Sequence, residues 1–365
     1  MAQTERKVSI NIAGQAGYDI LVRPGLLADA GGWLKAHARS AKAIVVSDAN
    51  VFPKHGAAVV QSLMSAGIEP IVAMLPAGED HKSLADLLPV YDKILPARVE
   101  RSTPVLALGG GVVGDMAGFV AATVLRGVPL VQIPTTLLAM VDASVGGKTG
   151  VNHAAGKNLI GAFHQPIGVL IDPLALATLP AAELRGGLAE CIKHDIIRDA
   201  DGFARLEANI HRALALDMVY LADLISHNVA IKARVVEADP LERGERAHLN
   251  FGHTFGHAIE TVSRHSYSHG QCVALGMTAA CFLAEKLKLL DESDRRRVVA
   301  VIARAGLPTG GLTLATRDVI DAMGFDKKVA AGKLRLILPH GIGHVVIRDD
   351  VAADLVAAAV ESLRG

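Results

Sequence analysis

Cysteine is scarce: the three in 365 residues (Cys191, Cys272, Cys281) form no C-x-x-C pair and are odd in number. That argues against a disulfide frame and reads as buried thiols in a reducing compartment. Net charge is lacking too. Lys+Arg and Asp+Glu each total 37, so nothing advertises a nucleic-acid or membrane partner. No apolar segment follows the polar start at residues 1–7, so no secretory signal is expected. Long hydrophobic runs are also missing. Mean hydropathy is +0.35, carried mainly by Ala and Val. The longest apolar passage, 127–141, is broken by Pro129, Gln132, Pro134, Thr135 and Thr136, too interrupted to span a bilayer. The expectation is a soluble, cytoplasmic protein of two domains.

What is present changes character along the chain. In the first half, β-branched runs at 8–12, 18–22, 43–47, 70–74, 105–108, 130–133 and 169–171 read as strands. Helical patterns lie between them at 56–66, 83–95 and 112–125. This alternation, with Gly or Asp at strand exits, predicts a parallel α/β sheet. From about Pro180 helical spacing takes over, at 181–198, 218–237, 253–263, 273–289 and 295–304. A small hairpin, 334–338 with 345–347, precedes a final helix at 351–363. The expected organisation is a Rossmann-like α/β nucleotide-binding domain, 1–180, and a mostly α-helical metal- and substrate-binding domain, 181–365. No internal repeat is visible.

A strand ending at Leu108 runs into Gly109-Gly110-Gly111-Val112-Val113-Gly114-Asp115 and then a helix, so Gly109, Gly111 and Gly114 satisfy G-x-G-x-x-G in its proper context. Glycines there let backbone N–H groups approach a pyrophosphate. Two features depart from the standard unit: the motif lies beyond residue 100, and Arg126-Gly127 stands where the ribose acid should fall. A turn that needs glycine only for packing is the plainer reading. Asp48, at another strand end, is a better ribose candidate, although an Asp there is usually a helix cap. Gly78-Glu79-Asp80-His81-Lys82 follows a further strand. Gly146-Gly147-Lys148-Thr149 is not a Walker A motif, because Asp142 occupies its first glycine position. Lys148 and Lys157, set among glycines, instead offer an anion site.

His253 and His257, four apart, share one helix face, and His269 can fold back toward them. Such pairs also arise by chance. With no cysteine nearby, three ligands and an open position would make a catalytic metal site rather than a structural one. Glu190 is the best outside ligand: it lies on an apolar face with Leu188 and Ile192, where an unpaired carboxylate is costly. Its alternative is a buried ion pair with Lys193 or an arginine. His194, one turn on, is a rival ligand or a supporting partner. Lys193, Lys232, Arg246 and Asn250 add cationic and amide donors, which suits a substrate bearing phosphate or carboxylate.

Together these stretches resemble the 3-dehydroquinate synthase family over nearly the whole chain. The runs are GGGVVGD at 109–115, QIPTTLLA at 132–139, DASVGGKTGVN at 142–152, GKNLIGAF at 156–163, LAE at 188–190, LNFGHTFGHAIE at 249–260 and DKK at 326–328. The resemblance implies NAD in the α/β half and one zinc or cobalt ion in the helical half. It implies conversion of 3-deoxy-D-arabino-heptulosonate 7-phosphate (DAHP) to 3-dehydroquinate and phosphate, in the shikimate route to aromatic amino acids. The route is transient oxidation of a secondary hydroxyl by NAD, β-elimination of phosphate, return of the hydride, ring opening and intramolecular aldol closure. A homodimer is implied as well.

By the same resemblance Glu190, His253 and His269 hold the metal, and His257, which spacing alone would make a ligand, hydrogen-bonds near the reacting centre. Lys148, Asn158, Arg246 and one of Lys327 and Lys328 grip phosphate or carboxylate, and Arg126 reaches a neighbouring subunit's site. Asp142, Lys193, Lys232, Glu242 and Asn250 hold hydroxyls and the metal-side oxygen. Asp48, Asn50, Glu79, Lys82, Gly110, Gly111, Val112, Asp115, Thr135, Thr136, Lys148, Lys157, Thr178 and Glu183 take the dinucleotide. The chain departs from the pattern at His194, where tyrosine is common, and at Gln271, where glutamate is usual. Related sugar phosphate cyclases share the metal motif, and Lys157-Asn158 with the DKK run favours the acid substrate among them. The nearest rivals are a metal-dependent glycerol dehydrogenase, which would turn over NADH, and a non-catalytic NAD-binding regulator.

Overall fold

The computed structural model describes residues 5–242, 244–264, 266–324, 329–330 and 333–365. By its contacts the chain forms two compact units, Met1–Pro180 with Met218–Leu241, and Ala181–Asp217 with Glu242–Gly365. The first carries β1 (Arg6–Ile10), β2 (Tyr18–Val22), β3 (Lys42–Asp48), β4 (Glu69–Leu75), β5 (Val105–Gly109), β6 (Leu130–Pro134), β7 (Lys148–His153), β8 (Gly156–Phe163) and β9 (Gly168–Ile171). Its first helices are α1 (Ala30–His37), α2 (Ala57–Ser65), α3 (Leu84–Ile94) and α4 (Gly111–Thr123).

Seven strands make one sheet in the order β1-β2-β9-β6-β5-β3-β4, parallel throughout except for β1 against β2. β3 and β5 read as near-continuous apolar runs because both faces are covered, and Ile44, Val46, Val105 and Ala107 pack with Leu87, Val90, Met116 and Val120 in one core. From β3 the chain moves outward to β4. From β5 it moves the opposite way, through β6 to β9. The order therefore reverses between β3 and β5, and the crevice at the carboxyl ends of these strands is where an open α/β sheet takes its ligand.

The β7–β8 hairpin was not legible as strands, since its glycines and polar residues hide any alternation. It packs on α4, where a Cβ at Gly118 would strike the Thr149 side chain, and Thr149 Oγ1 donates to the Ala162 carbonyl at 2.9 Å. A two-stranded ribbon this rich in glycine needs such a support to hold its shape.

The helical elements that follow are α5 (Ala181–Arg198), α6 (Ala200–Leu214), α7 (Met218–Ala238), α8 (His253–Val262), α9 (His269–Lys286), α10 (Glu292–Arg304), α11 (Thr316–Gly324) and α12 (Ala353–Glu361). Short strands β10 (Val329–Ala330), β11 (Lys333–Leu334), β12 (Leu336–Pro339) and β13 (Val345–Arg348) form two hairpins. Helix α7 packs on β1 and groups with the sheet, which a single boundary near residue 180 does not anticipate. Among the described residues no helix is long and apolar enough to cross a membrane.

Within the second unit, α5, α8 and α9 meet backbone to backbone. A Cβ at Gly276 would collide with the Gly252 carbonyl, one at Gly270 with the Gly186 backbone, and one at Gly256 would come within 2.9 Å of the Cys272 oxygen. Glycine at these crossings is what allows the three helices to approach, and with them the side chains at their near ends.

Candidate active site

His253 and His269 are the first residues of α8 and α9, so the glycine crossings bring two helix N-termini together beside Glu190 of α5. The start of α8 is set by Gly252 at φ +76°. That of α9 is set by a capping box: Ser268 Oγ takes the Gln271 N–H, and Gln271 Oε1 takes the Ser268 N–H at 2.8 Å. Gln271, noted above as a departure, is thus committed to the cap, a task glutamine performs as well as glutamate.

One donor atom each from Glu190, His253 and His269 lies within 4.8 Å of the others. Glu190 Oε1 is 3.7 Å from His253 Nε2 and 3.6 Å from His269 Nε2. His253 Nδ1 lies 3.1 Å from the Phe251 carbonyl, which can only accept, so Nδ1 carries the proton and Nε2 presents its lone pair to the cluster. Glu260 stands 3.9 Å behind His269 Nδ1. Its place was readable, because 253, 257 and 260 follow one helix face. His257 stands at the side of the cluster, its ring centroid 5.2 Å from that of His253 and 6.5 Å from that of His269.

The electrostatics suit a cation. Burial, then the Lys193 ammonium, holds His253 well below its ordinary pKa, so the ring is neutral. Burial disfavours charge on His269 as well, but the carboxylates of Glu190 and Glu260 outweigh it and push its pKa up to about 9. Glu190 is fully buried and ion-paired with Lys193, itself 1% exposed. The ion-pair alternative for Glu190 therefore holds, together with its place among the histidines. One carboxylate and two imidazoles, with a second carboxylate behind one ring, are the donor set of a catalytic zinc-type ion, and the residues fit it.

In the same unit Arg246 is buried in the turn Glu245–Asn250, and Asn250 Nδ2 donates to Glu242 Oε1 at 3.4 Å. His194 is fully buried, and Glu183 is exposed in the first turn of α5. Lys327 and Lys328 lie outside the described residues. Lys232 departs from the expected grouping: on α7 it belongs with the sheet unit and pairs with Asp142 Oδ1 at 2.6 Å.

In the sheet unit, Asp48 and the glycine turn flank the switch point. Gly110 and Gly111 open α4, and added side chains there would meet nothing closer than 3.1 Å and 3.4 Å. Gly109 and Gly114 differ: a Cβ would press on Val113 at 2.6 Å and on Gln132 at 3.0 Å. Packing thus explains two of the glycines, and Gly110 and Gly111, with Val112 half-buried beside them, leave a helix N-terminus bare for a phosphate. Asp48 is also a cap, its Oδ1 accepting from the Asn50 and Val51 N–H groups at 2.8 and 2.9 Å. Thr136 Oγ1 caps Ala139 N, whereas the buried Thr135 hydroxyl has no hydrogen-bond partner among the described residues. An orphaned hydroxyl at the end of β6 and a bare helix N-terminus fit a bound dinucleotide. Lys82, 4% exposed, donates to Asp115 Oδ2 and Asn158 Oδ1, each at 2.6 Å, and Lys157 lies 3.9 Å from Glu79. Burial raises the Asp115 pKa against the pull of Lys82.

A left-handed backbone marks three of these positions. Arg126, Asn158 and Glu242 have φ of 67°, 53° and 58°, with Leu125 beside Arg126 at 51°. Leu125 and Arg126 follow the end of α4, as Arg98, Leu216, Arg264 and Lys288 follow other helical segments, and a left-handed residue is ordinary there. Asn158 and Glu242 lie away from such ends, and strain of that kind concentrates at functional sites.

Sequence reasoning missed His55. Thr178 Oγ1 gives its proton to the Ala175 carbonyl, so His55 Nε2, 2.9 Å away, must donate to it. Burial, then Lys54, lowers the His55 pKa from 6.5. The unfolded chain therefore binds this proton more readily, and stability is lost as pH falls below 6.5. His55→Gln, which keeps a donor, should flatten that loss in denaturant melts taken at successively lower pH; an unchanged slope would contradict it.

A sheet unit with a nucleotide-type crevice and a helical unit with a carboxylate–imidazole cluster define the class of the sugar phosphate cyclases and their dehydrogenase relatives. A solved 2-epi-5-epi-valiolone synthase from Streptomyces hygroscopicus subsp. jinggangensis, with NAD+ and Zn2+ bound, superposes with a TM-score of 0.88 at 32% identity, over 97% of this chain and 98% of that one. A 2-deoxy-scyllo-inosose synthase complexed with carbaglucose-6-phosphate, NAD+ and Co2+ shares the fold, with a TM-score of 0.87 at 23% identity over 98% of this chain and 100% of the other. Residues 72–186 match the 3-dehydroquinate synthase N-terminal family and 187–329 the 3-dehydroquinate synthase C-terminal family. A 3-dehydroquinate synthase from Picosynechococcus sp. is 47% identical over 94% of this chain and 95% of its own. The chain belongs to the 3-dehydroquinate synthase family.

Proposed function

We propose that the protein is itself a 3-dehydroquinate synthase, a phosphate-eliminating lyase that takes DAHP to 3-dehydroquinate and inorganic phosphate. The observation that carries this is the convergence of Glu190, His253 and His269 beside the buried Lys193, in a chain 47% identical to a protein of that name. Glu190, His253 and His269 hold a divalent ion, zinc or cobalt, which supplies Lewis-acid charge next to a substrate oxygen. NAD, held along Asp48, Asn50, Glu79, Lys82, Gly110–Val112, Asp115, Thr135, Thr136, Lys148, Lys157, Thr178 and Glu183, supplies a reversible hydride acceptor, which makes a neighbouring C–H acidic.

The chain's own residues do the rest. Lys148, Asn158, Arg246 and Lys328 bind phosphate and carboxylate through charge-assisted hydrogen bonds. Lys193, Asn250 and Glu242 orient hydroxyls, as do Asp142 and Lys232, whose ion pair is already formed. His257 hydrogen-bonds the substrate beside the ion, and Arg126, on the turn after α4, serves a second subunit's site in a homodimer. The burial of Cys191, Cys272 and Cys281 as thiols supports a reducing, cytoplasmic setting.

Purified protein supplied with NAD and zinc or cobalt should release phosphate from DAHP without accumulating NADH, and chelation should stop it. Stoichiometric NADH from a simple polyol, with DAHP inert, would overturn the reading in favour of a dehydrogenase.

A further inference from the structure

The β7–β8 hairpin is out of register beside its turn. Val151 faces Ile160 and His153 faces Gly156, so Asn152 alone opposes residues 157–159. A bulge of that size strips ladder partners from the longer strand, and Asn158 within it is left-handed at φ 53°. The Asn152 side chain fills the gap. Its Oδ1 accepts the Asn158 N–H at 2.9 Å, its Nδ2 donates to Glu79 Oε1 at 2.8 Å, and its own N–H donates to the Lys82 carbonyl at 2.7 Å. The amide's orientation is fixed by its neighbours, because an N–H can only donate and a carboxylate can only accept.

We infer that Asn152 is a positioning residue for the dinucleotide site: its carboxamide locks the bulge onto the 79–82 turn and so aims Asn158 Oδ1 at Lys82. This rests on the reading of the crevice as an NAD site. Lys82 divides its ammonium between Asn158 and Asp115, so a shift of the bulge is passed to the first turns of α4. No residue but an amide meets both demands at 152. Aspartate keeps the acceptor for Asn158 but loses the donor and sets a second carboxylate against Glu79.

The test is NAD binding by calorimetry, with wild-type protein as reference. Asn152→Asp should weaken NAD by about tenfold or more, the scale of one charge-assisted hydrogen bond lost and a repulsion gained. Because Glu79 itself lies along the proposed NAD site, the rescue is read against Glu79→Gln alone. In that background Asn152→Asp restores an amide–carboxylate pair with its members exchanged, so it should cost less there than in wild type. A role in folding alone would lower the melting temperature without this rescue. Wild-type affinity in Asn152→Asp, or an equal loss from Asn152→Asp in the wild-type and Glu79→Gln backgrounds, overturns the inference. Should Asn152→Asp fail to fold, Asn152→Ala brings no repulsion and should still weaken NAD and expose the Asn158 amide to hydrogen exchange; wild-type values for both would overturn it equally. A wild-type protein that binds no NAD would instead sink the reading of the crevice.

Discussion

Glu190→Gln is expected to leave the protein without its metal after dialysis, with metal affinity down by about a hundredfold or more and phosphate release lost with it. The same change strands a charge. Lys193 is 1% exposed and paired with this carboxylate, and removing one member of a buried pair costs about 3–5 kcal/mol. His253→Ala and His269→Ala should also lose the metal, yet leave the Lys193–Glu190 pair intact and so unfold at higher denaturant than Glu190→Gln. His257→Ala should retain the metal while losing rate, since its ring stands outside the converging donor atoms. Metal analysis of the four variants, paired with denaturant titration, separates ligand from neighbour. Stoichiometric metal in Glu190→Gln would remove it from the ligand set, and loss of metal in His257→Ala would add that histidine to it.

These residues differ in how far the sequence alone reveals them. The parallel sheet was legible because β3 and β5 are near-continuous apolar runs, a signal that depends only on burial on both faces. The three-helix meeting was not. Nothing in periodicity says that Gly186, Gly256, Gly270 and Gly276 face one another, because each depends on partners distant in sequence. Helical spacing puts His253 and His257 on one face and cannot tell which will reach a third ligand. What separates them is that His253 stands at a helix start, at a crossing without side chains, whereas His257 is a turn further along. The glycine turn was half legible: four of its residues are glycine, but packing demands Gly109 and Gly114 and leaves Gly110 and Gly111 for a ligand. The hairpin was invisible because Asn152, a side chain, does part of the work that backbone pairing does in an ordinary ribbon.

Gly276→Ala should be among the most damaging single-methyl changes in the protein. In an isolated helix the substitution gains about 1 kcal/mol from propensity. Here the added Cβ collides with the Gly252 carbonyl and comes within 2.8 Å of the Gly256 N, both backbone atoms that cannot rotate away. Overpacking of this kind costs about 1–3 kcal/mol and more where backbone must move. Relief requires α8 to back away from α9, and His253 is the residue next to Gly252. The variant should therefore be less stable and, at temperatures where it is still folded, hold metal more weakly than wild type. Gly32→Ala is the control: it lies inside α1 with nothing within 4 Å of the new methyl, so it should gain about 0.5–1 kcal/mol. Opposite shifts in melting temperature, with metal affinity changed in Gly276→Ala alone, would tie the site to the crossing. Equal stability and equal metal affinity in the two variants would show that α8 and α9 can separate without cost to the site.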